Sequence, residues 1–213
     1  MSFNVMPMSQ KLTRSQQPAA IATLAQAFLA DPIMQYFYAV EPESRLRGLH
    51  WLSQLTLRYC QPYDQIYVAP TESSPEAVKG CAIWMPPGAY PLKLWRLLQL
   101  GFFQVPFHVR RDRFMEFLTF FDHTEVCHKE AMTEPHWYLA MLGVAPDFQG
   151  QGVGRALLQP VLDAADRDQV PCYLETSTEG GVRFYQRLGF EVLRVEQRTP
   201  EAPTFWTMRR HPA

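Results

Sequence analysis

The order of segments predicts an α/β layer fold, and three observations lead to it. From Trp137 onward, short apolar runs alternate with stretches of helical spacing. Two β-type runs at 65–69 and 78–84 flank the polar turn TESSPE and predict a hairpin. At 213 residues the chain is long enough to fill one well-packed core and short for two, so both patterns belong to one domain spanning 1–213.

In chain order, alternation from Val5 and Pro7 to Leu12 predicts a first strand. Residues 19–30 carry apolar positions at helical spacing and stop at Asp31-Pro32, because proline disfavours the α conformation in the residue before it. A short helix through Tyr38 and a longer one over 44–60 lead into the hairpin. The breaker MPPG at 85–88 then introduces a helical insertion over about 85–134, with helices at 91–101 and 110–132 interrupted near Pro106. A strand at 137–144, a glycine-rich turn, a helix at 152–167 and a strand at 172–176 follow. A helix over 182–188, a strand from Phe190 and a last strand near 204–209 complete the order. Pro160 removes one helical hydrogen bond and predicts a bend in the helix after the glycine turn.

Composition excludes several classes. With 47 % hydrophobic and 19 % charged residues the chain is globular, not disordered, and a net charge of -1 gives no positive field for a nucleic-acid partner. The run HVRRDR at 108–113 reads as a solvated helix end. Cys60, Cys81, Cys127 and Cys172 stand singly, which suggests free thiols in a reducing cytoplasm. The first ten residues lack the basic and apolar regions of a signal peptide, and no apolar run approaches the roughly 18 residues of a membrane span, so no membrane partner is expected. The aromatic stretch 95–107 lacks the Lys/Arg cluster of an interfacial helix. His123 and Cys127 stand four apart on one helical face, but two such residues without a further Cys or His pair give no reason to expect a metal.

The stretch DFQGQGVGRALL, 147–158, concentrates the chemistry. Glycines let the backbone approach a ligand, and a helix starting directly afterwards presents unpaired N–H groups and a positive dipole end, which suits a phosphate. A P-loop needs GxxxxGK[ST], and no Lys-Ser or Lys-Thr follows these glycines. A dinucleotide turn needs GxGxxG, and its last position is Arg155 or Leu157 here, although Glu175 lies about the right distance downstream for a ribose contact. Glycines kept for packing alone are the remaining structural reading.

Gln149, Gly152 and Gly154 form a Q-x-x-G-x-G pattern that resembles the pyrophosphate-binding turn of GNAT-superfamily N-acetyltransferases. VPCYLETST followed by GGVRFYQRLGFEVL resembles the strand, short helix and strand beyond that turn. AFLADP and the terminal TFWTMRR extend the likeness over most of the chain, with 71–134 loosely matched, and within the superfamily it is nearest to the puromycin N-acetyltransferase branch.

The resemblance implies a mixed, mostly antiparallel central sheet with helices on both faces and a splayed strand pair at the cofactor site. It implies acetyl-coenzyme A as co-substrate, its pantetheine arm on the backbones of Leu142 and Val144. Its pyrophosphate would lie in Gln149, Gly150, Gln151, Gly152, Val153, Gly154 and Arg155. The backbone N–H of Leu142 is implied as oxyanion donor and Tyr185 as proton donor to the leaving thiolate. The acceptor implied is the primary amine of a small aromatic or aminoacyl molecule, attacking directly without an acyl-enzyme.

Two positions depart from the family pattern. Tyr138 stands where several members carry a catalytic glutamate, and Gly181 where many carry asparagine. Glu175 and His136 are left as weaker candidates for the base, and a buried aromatic with a structural role is the lesser alternative for Tyr185. Tyr36, Tyr38, Trp84, Phe102 and Phe103 are candidates for the acceptor wall or for plain core. A coenzyme A-binding sensor without turnover, and an acetyltransferase acting on protein N-termini or lysines, are the rival readings.

Overall fold

The computed structural model describes residues 9–72 and 74–213. The expected strand positions Val5 and Pro7 lie outside them, and the described part of that strand is β1, Gln10–Lys11. Six more strands follow: β2 (Ile66–Pro70), β3 (Val78–Met85), β4 (Trp137–Val144), β5 (Cys172–Thr176), β6 (Glu191–Glu196) and β7 (Phe205–Arg210). They form one sheet in the order β1-β2-β3-β4-β5-β7-β6. Only the β4–β5 pair is parallel, so the sheet is mixed and mostly antiparallel.

The helices are α1 (Gln17–Ala27), α2 (Pro32–Phe37), α3 (Pro42–Cys60), α4 (Leu94–Gln99), α5 (Val105–His108), α6 (Phe114–Ala131), α7 (Val153–Asp168) and α8 (Glu179–Gln186). On one face, Leu157, Val161 and Leu162 of α7 pack against Trp84, Leu139 and Leu174. On the other, Leu24 of α1 and Leu57 of α3 pack against Cys81, Ile83 and Met141. Helices therefore cover both faces, and β3, sandwiched between them, is buried at seven of its eight positions. A third apolar cluster joins α2 and α3 to α6 through Phe37, Leu49, Phe117 and Phe120.

Three helices begin three or four residues from where the spacing predicts, among them α6, expected from residue 110 and starting at Phe114 after a 3-10 turn at Arg111–Arg113. The helix expected from residue 91 starts at Leu94, beyond the prolines. The helix expected from 182 starts at Glu179, because the Thr178 side chain accepts from the Gly181 N–H at 3.0 Å and caps an extra turn. α7 continues through Pro160.

Strand β4 positions the site. Its pairing with β3 shifts by one between Ile83↔Met141 and Trp84↔Leu139, which leaves Ala140 as an extra residue. Tyr138, Ala140 and Met141 consequently lie on the α1 side, and Leu139, Leu142 and Val144 on the α7 side. The Ala145 N–H donates to Lys79 O at 2.8 Å, so alternate residues Gly143 and Met141 also turn their polar groups to β3. Leu142 and Val144 turn theirs the other way, toward β5. There β5 is absent: the parallel pairing covers only Trp137↔Cys172 and Tyr138↔Tyr173, and then the strands part.

Candidate functional site

The gap between β4 and β5 opens into a cleft of about 990 Å³. Nine of the ten residues that the family resemblance assigns to cofactor and chemistry line it: Leu142, Val144, Gln149, Gly150, Gly152, Val153, Gly154, Arg155 and Tyr185. Gln151 does not, since its side chain turns back to donate to Asp147 O at 2.8 Å.

The glycine turn has the form an anion site requires. Gly150 and Gly152 have φ of +73° and +80°, and a Cβ at either would meet only open space. Gly152 is the N-cap of α7 and brings no capping side chain, so the first N–H groups of a 16-residue helix face outward unclaimed by a side chain. Arg155, exposed on the first turn of that helix, adds positive charge on the cleft wall. Gln149 ties the turn to the strand by donating to Val144 O at 3.1 Å, and a carbonyl has a second lone pair for a ligand.

Beyond the point where the strands part stands Glu175 on β5. It lines the cleft, and its carboxyl is pushed up to about 7, chiefly by burial and further by the nearby Glu125. The Tyr138 and Tyr173 hydroxyls face the carboxylate and pull the value back down. Of these, the Tyr173 hydroxyl is buried and completes no hydrogen bond of ordinary geometry, so its influence is that of a close dipole.

Two histidines from the neighbouring segments stand behind this carboxyl. His136 Nδ1 lies 2.7 Å from Glu134 O, and a carbonyl only accepts, so that nitrogen carries the proton. Its Nε2 then accepts from His128 Nε2 at 2.8 Å, which leaves the lone pair of His128 Nδ1 facing Glu175 Oε1 at 3.7 Å. His128 is held between the rings of Tyr90 at 3.7 Å and Tyr173 at 4.0 Å. Burial, with the adjacent His136 adding to it, pushes its pKa down to about 2, so it is a neutral support and not an ion-pair partner. His136, itself buried and lowered by that burial, stands behind the cleft wall and does not line it.

Tyr185 is buried between Phe184 and Phe190, and burial alone raises its phenol above the ordinary value. Asp31 also reaches the cleft. One of its oxygens caps α2 through Ile33 N at 2.9 Å and Met34 N at 3.1 Å, and the other accepts from Ser177 Oγ. This bond joins the α1–α2 corner to the end of β5, two residues past Glu175.

The aromatic wall differs from the expectation. Tyr38 and Trp84 are sealed in the core at 1 % and 0 % exposure, and Phe103 points outward at 64 %. Tyr36 is engaged with Glu116 and Arg113, and Phe102 packs against Phe121, so none of the five lines the cleft. The wall is built by Phe28, Ile33, Met34, Phe120, Phe121 and Phe205. The Gly181 departure has a steric basis: a Cβ there would lie 2.3 Å from Thr176 Oγ1 and 3.1 Å from the capping Thr178 Oγ1.

Among known proteins, the sequence profile of the Acetyltransferase (GNAT) family matches residues 63–190. An uncharacterized N-acetyltransferase of Schizosaccharomyces pombe is 26 % identical over 175 residues, 80 % of this chain and 69 % of its own. A structure described as histone acetyltransferase HPA2 and related acetyltransferase, from Corynebacterium glutamicum, superposes with a TM-score of 0.65 at 22 % identity, covering 97 % of both chains. Arylalkylamine N-acetyltransferase 2 from Aedes aegypti superposes with a TM-score of 0.57 at 15 % identity, over 96 % of this chain and 98 % of its own.

Proposed function

Since the chain belongs to the GNAT acetyltransferase family, we propose that it transfers acetyl from acetyl-coenzyme A to the primary amine of a small aromatic or aminoacyl molecule, by direct attack. The parting of β4 from β5 supports this reading most directly, because a single cleft then holds an anion-binding turn and a carboxyl group poised near neutrality.

The residues fit the cofactor. Gln149, Gly150, Gln151, Gly152, Val153, Gly154 and Arg155 hold the pyrophosphate, mainly by backbone N–H groups at the start of α7. The polar groups of Leu142 and Val144, turned toward the gap, hold the pantetheine arm as a strand would. When bound, acetyl-coenzyme A supplies an activated acetyl thioester.

The chain supplies the proton handling. The Leu142 N–H is placed to stabilise the carbonyl oxygen as it gains charge. Glu175 replaces the glutamate missing at position 138 from the adjacent strand, and its carboxylate takes the proton that the amine nitrogen gives up as the C–N bond forms. With a pKa near 7 about half of it is ionised at neutral pH, which suits a base that must later return its proton to solvent. The buried Tyr185 phenol remains neutral and gives its proton to the sulfur as the C–S bond breaks.

The apolar wall favours an acceptor with an aromatic or aliphatic body, while Asp31 and Glu175 favour its cationic amine. Puromycin and similar aminoacyl amines are the first acceptors to test. The four buried, unpaired cysteines suit a reducing compartment such as the cytoplasm, and no helix among the described residues is long and apolar enough to cross a membrane.

Thiol release from acetyl-coenzyme A, measured with a panel of aryl, aminoacyl and peptide amines, tests the reading. Small apolar amines should give the highest kcat/KM. Preference for peptides would move the acceptor to proteins, and silence throughout would favour a sensor without turnover. Tyr185→Phe should lower kcat about 100-fold with acetyl-coenzyme A affinity unchanged; equal turnover would remove Tyr185 from proton transfer.

A further inference from the structure

Outside the cleft, three side chains with metal-binding chemistry converge where α6 meets the end of β6. His123 and Cys127 are one helical turn apart on α6, and Glu196 reaches them from β6. His123 Nε2 is 3.2 Å from Glu196 Oε2 and 3.7 Å from Cys127 Sγ, and all three donor atoms lie within 4.8 Å of one another. A tetrahedral ion with ordinary Zn–N, Zn–O and Zn–S bonds would hold nitrogen and oxygen about 3.3 Å apart and nitrogen and sulfur about 3.6 Å apart.

The shape of the cluster separates a metal site from a nucleophile relay. A Cys-His-Glu relay runs through both ring nitrogens, one toward the thiol and the other toward the carboxylate. Here the same nitrogen, Nε2, faces both partners, so the three groups point at one another instead of forming a chain. Convergence of three donors on one place is the arrangement an ion requires.

We propose that His123, Cys127 and Glu196 bind a divalent transition metal of zinc type, which clasps the α6 insertion to the edge of the sheet. Imidazole, thiolate and carboxylate together select zinc or cobalt over magnesium or calcium. Cys127 is 1 % exposed, whereas the His123 and Glu196 side chains are 31 % and 27 % exposed, so the site has a buried anchor and an open side where water can take the fourth position. Arg194 also approaches the Cys127 sulfur, and its own charge is offset by Glu130 Oε2 at 2.7 Å. Binding releases the thiol proton to solvent and leaves the metal's oxidation state unchanged.

The clasp bears on the cleft without belonging to it. Phe120, Phe121 and Thr124, on the same stretch of α6, form part of the cleft wall, and the His123 ring lies edge-on to Phe205 with centroids 6.1 Å apart. A bound ion would fix that wall against β6. This site stands independently of the acetyl-transfer reading.

The test is titration of the full chain, stripped with a chelator, with Co²⁺ and then Zn²⁺, read by visible absorption and thermal melting. One Co²⁺ per chain should bind with a thiolate charge-transfer band that Zn²⁺ displaces, and Zn²⁺ should raise the melting temperature. Cys127→Ser should remove the band although three other cysteines remain, and the partly exposed His123→Ala and Glu196→Gln should each weaken binding at least about 10-fold. Absence of the band in the unaltered chain, or its persistence in Cys127→Ser or in a folded His123→Ala, would overturn the proposal.

Discussion

Gly152→Asp is expected to abolish acetyl-coenzyme A binding, lowering affinity by more than about 100-fold while the protein stays folded. The position is the N-cap of α7 but lies in the left-handed region, so an aspartate there lacks the extended backbone from which a capping side chain reaches the helix. Its carboxylate, set at the start of the helix, would oppose the negative charge of the pyrophosphate where the turn's N–H groups must receive it. The φ of +80° costs the new side chain about 1–2 kcal/mol. Gly152→Ala meets the same backbone cost without the charge and should lose much less affinity. Calorimetry with both variants separates the two effects, and Gly152→Asp binding with unaltered affinity would refute the assignment of the turn.

Glu175→Gln should lower kcat/KM by about 10²–10⁴-fold and erase the ionisation near pH 7 from its pH profile. In the unaltered enzyme kcat/KM should rise with pH through that value as the carboxylate forms. Stability should move the opposite way. The folded pKa of about 7 lies above the ordinary 4.5, so the folded protein binds a proton that the unfolded chain has released between those values. Stability from this group is fully present below about pH 4.5 and is lost as pH rises through about 7. Glu175→Gln, which never ionises, should therefore have an unfolding free energy higher than the parent's at pH 8 by up to about 3 kcal/mol, with little difference at pH 4. A catalytic loss with an unaltered pH profile would assign Glu175 a structural role.

The part of the chain from Trp137 to Thr176 was legible almost to the residue, because β4 and β5 are short apolar runs bounded by turns. The glycine turn was legible because the backbone conformation it needs restricts the residue type. Glu175 was visible as a carboxylate, but its pKa depends on Tyr138, Tyr173 and Glu125, and its support on His128 and His136. Those groups come from separate elements, and no local pattern records their meeting. The choice between acceptor wall and plain core was open for a related reason. Aromatic content shows that side chains will be buried, not against what, and Tyr38 and Trp84 entered the core while Phe120, Phe121 and Phe205 reached the cleft. Thr178 was a readable cap, obscured by the glycine pair behind it.

The parted strands also couple ligand supply to endurance. Beyond Tyr138, β4 lacks its partner on one side, and on the proposed function a ligand lying along it would complete the sheet. A molecule that binds the folded chain alone adds RT ln(1 + [L]/Kd) to its stability, about 2.7 kcal/mol at a hundred times Kd. Acetyl-coenzyme A would then act as a reversible structural element of this protein. Cells rich in it would hold the chain in a more protease-resistant form than starved ones, without any change in its synthesis.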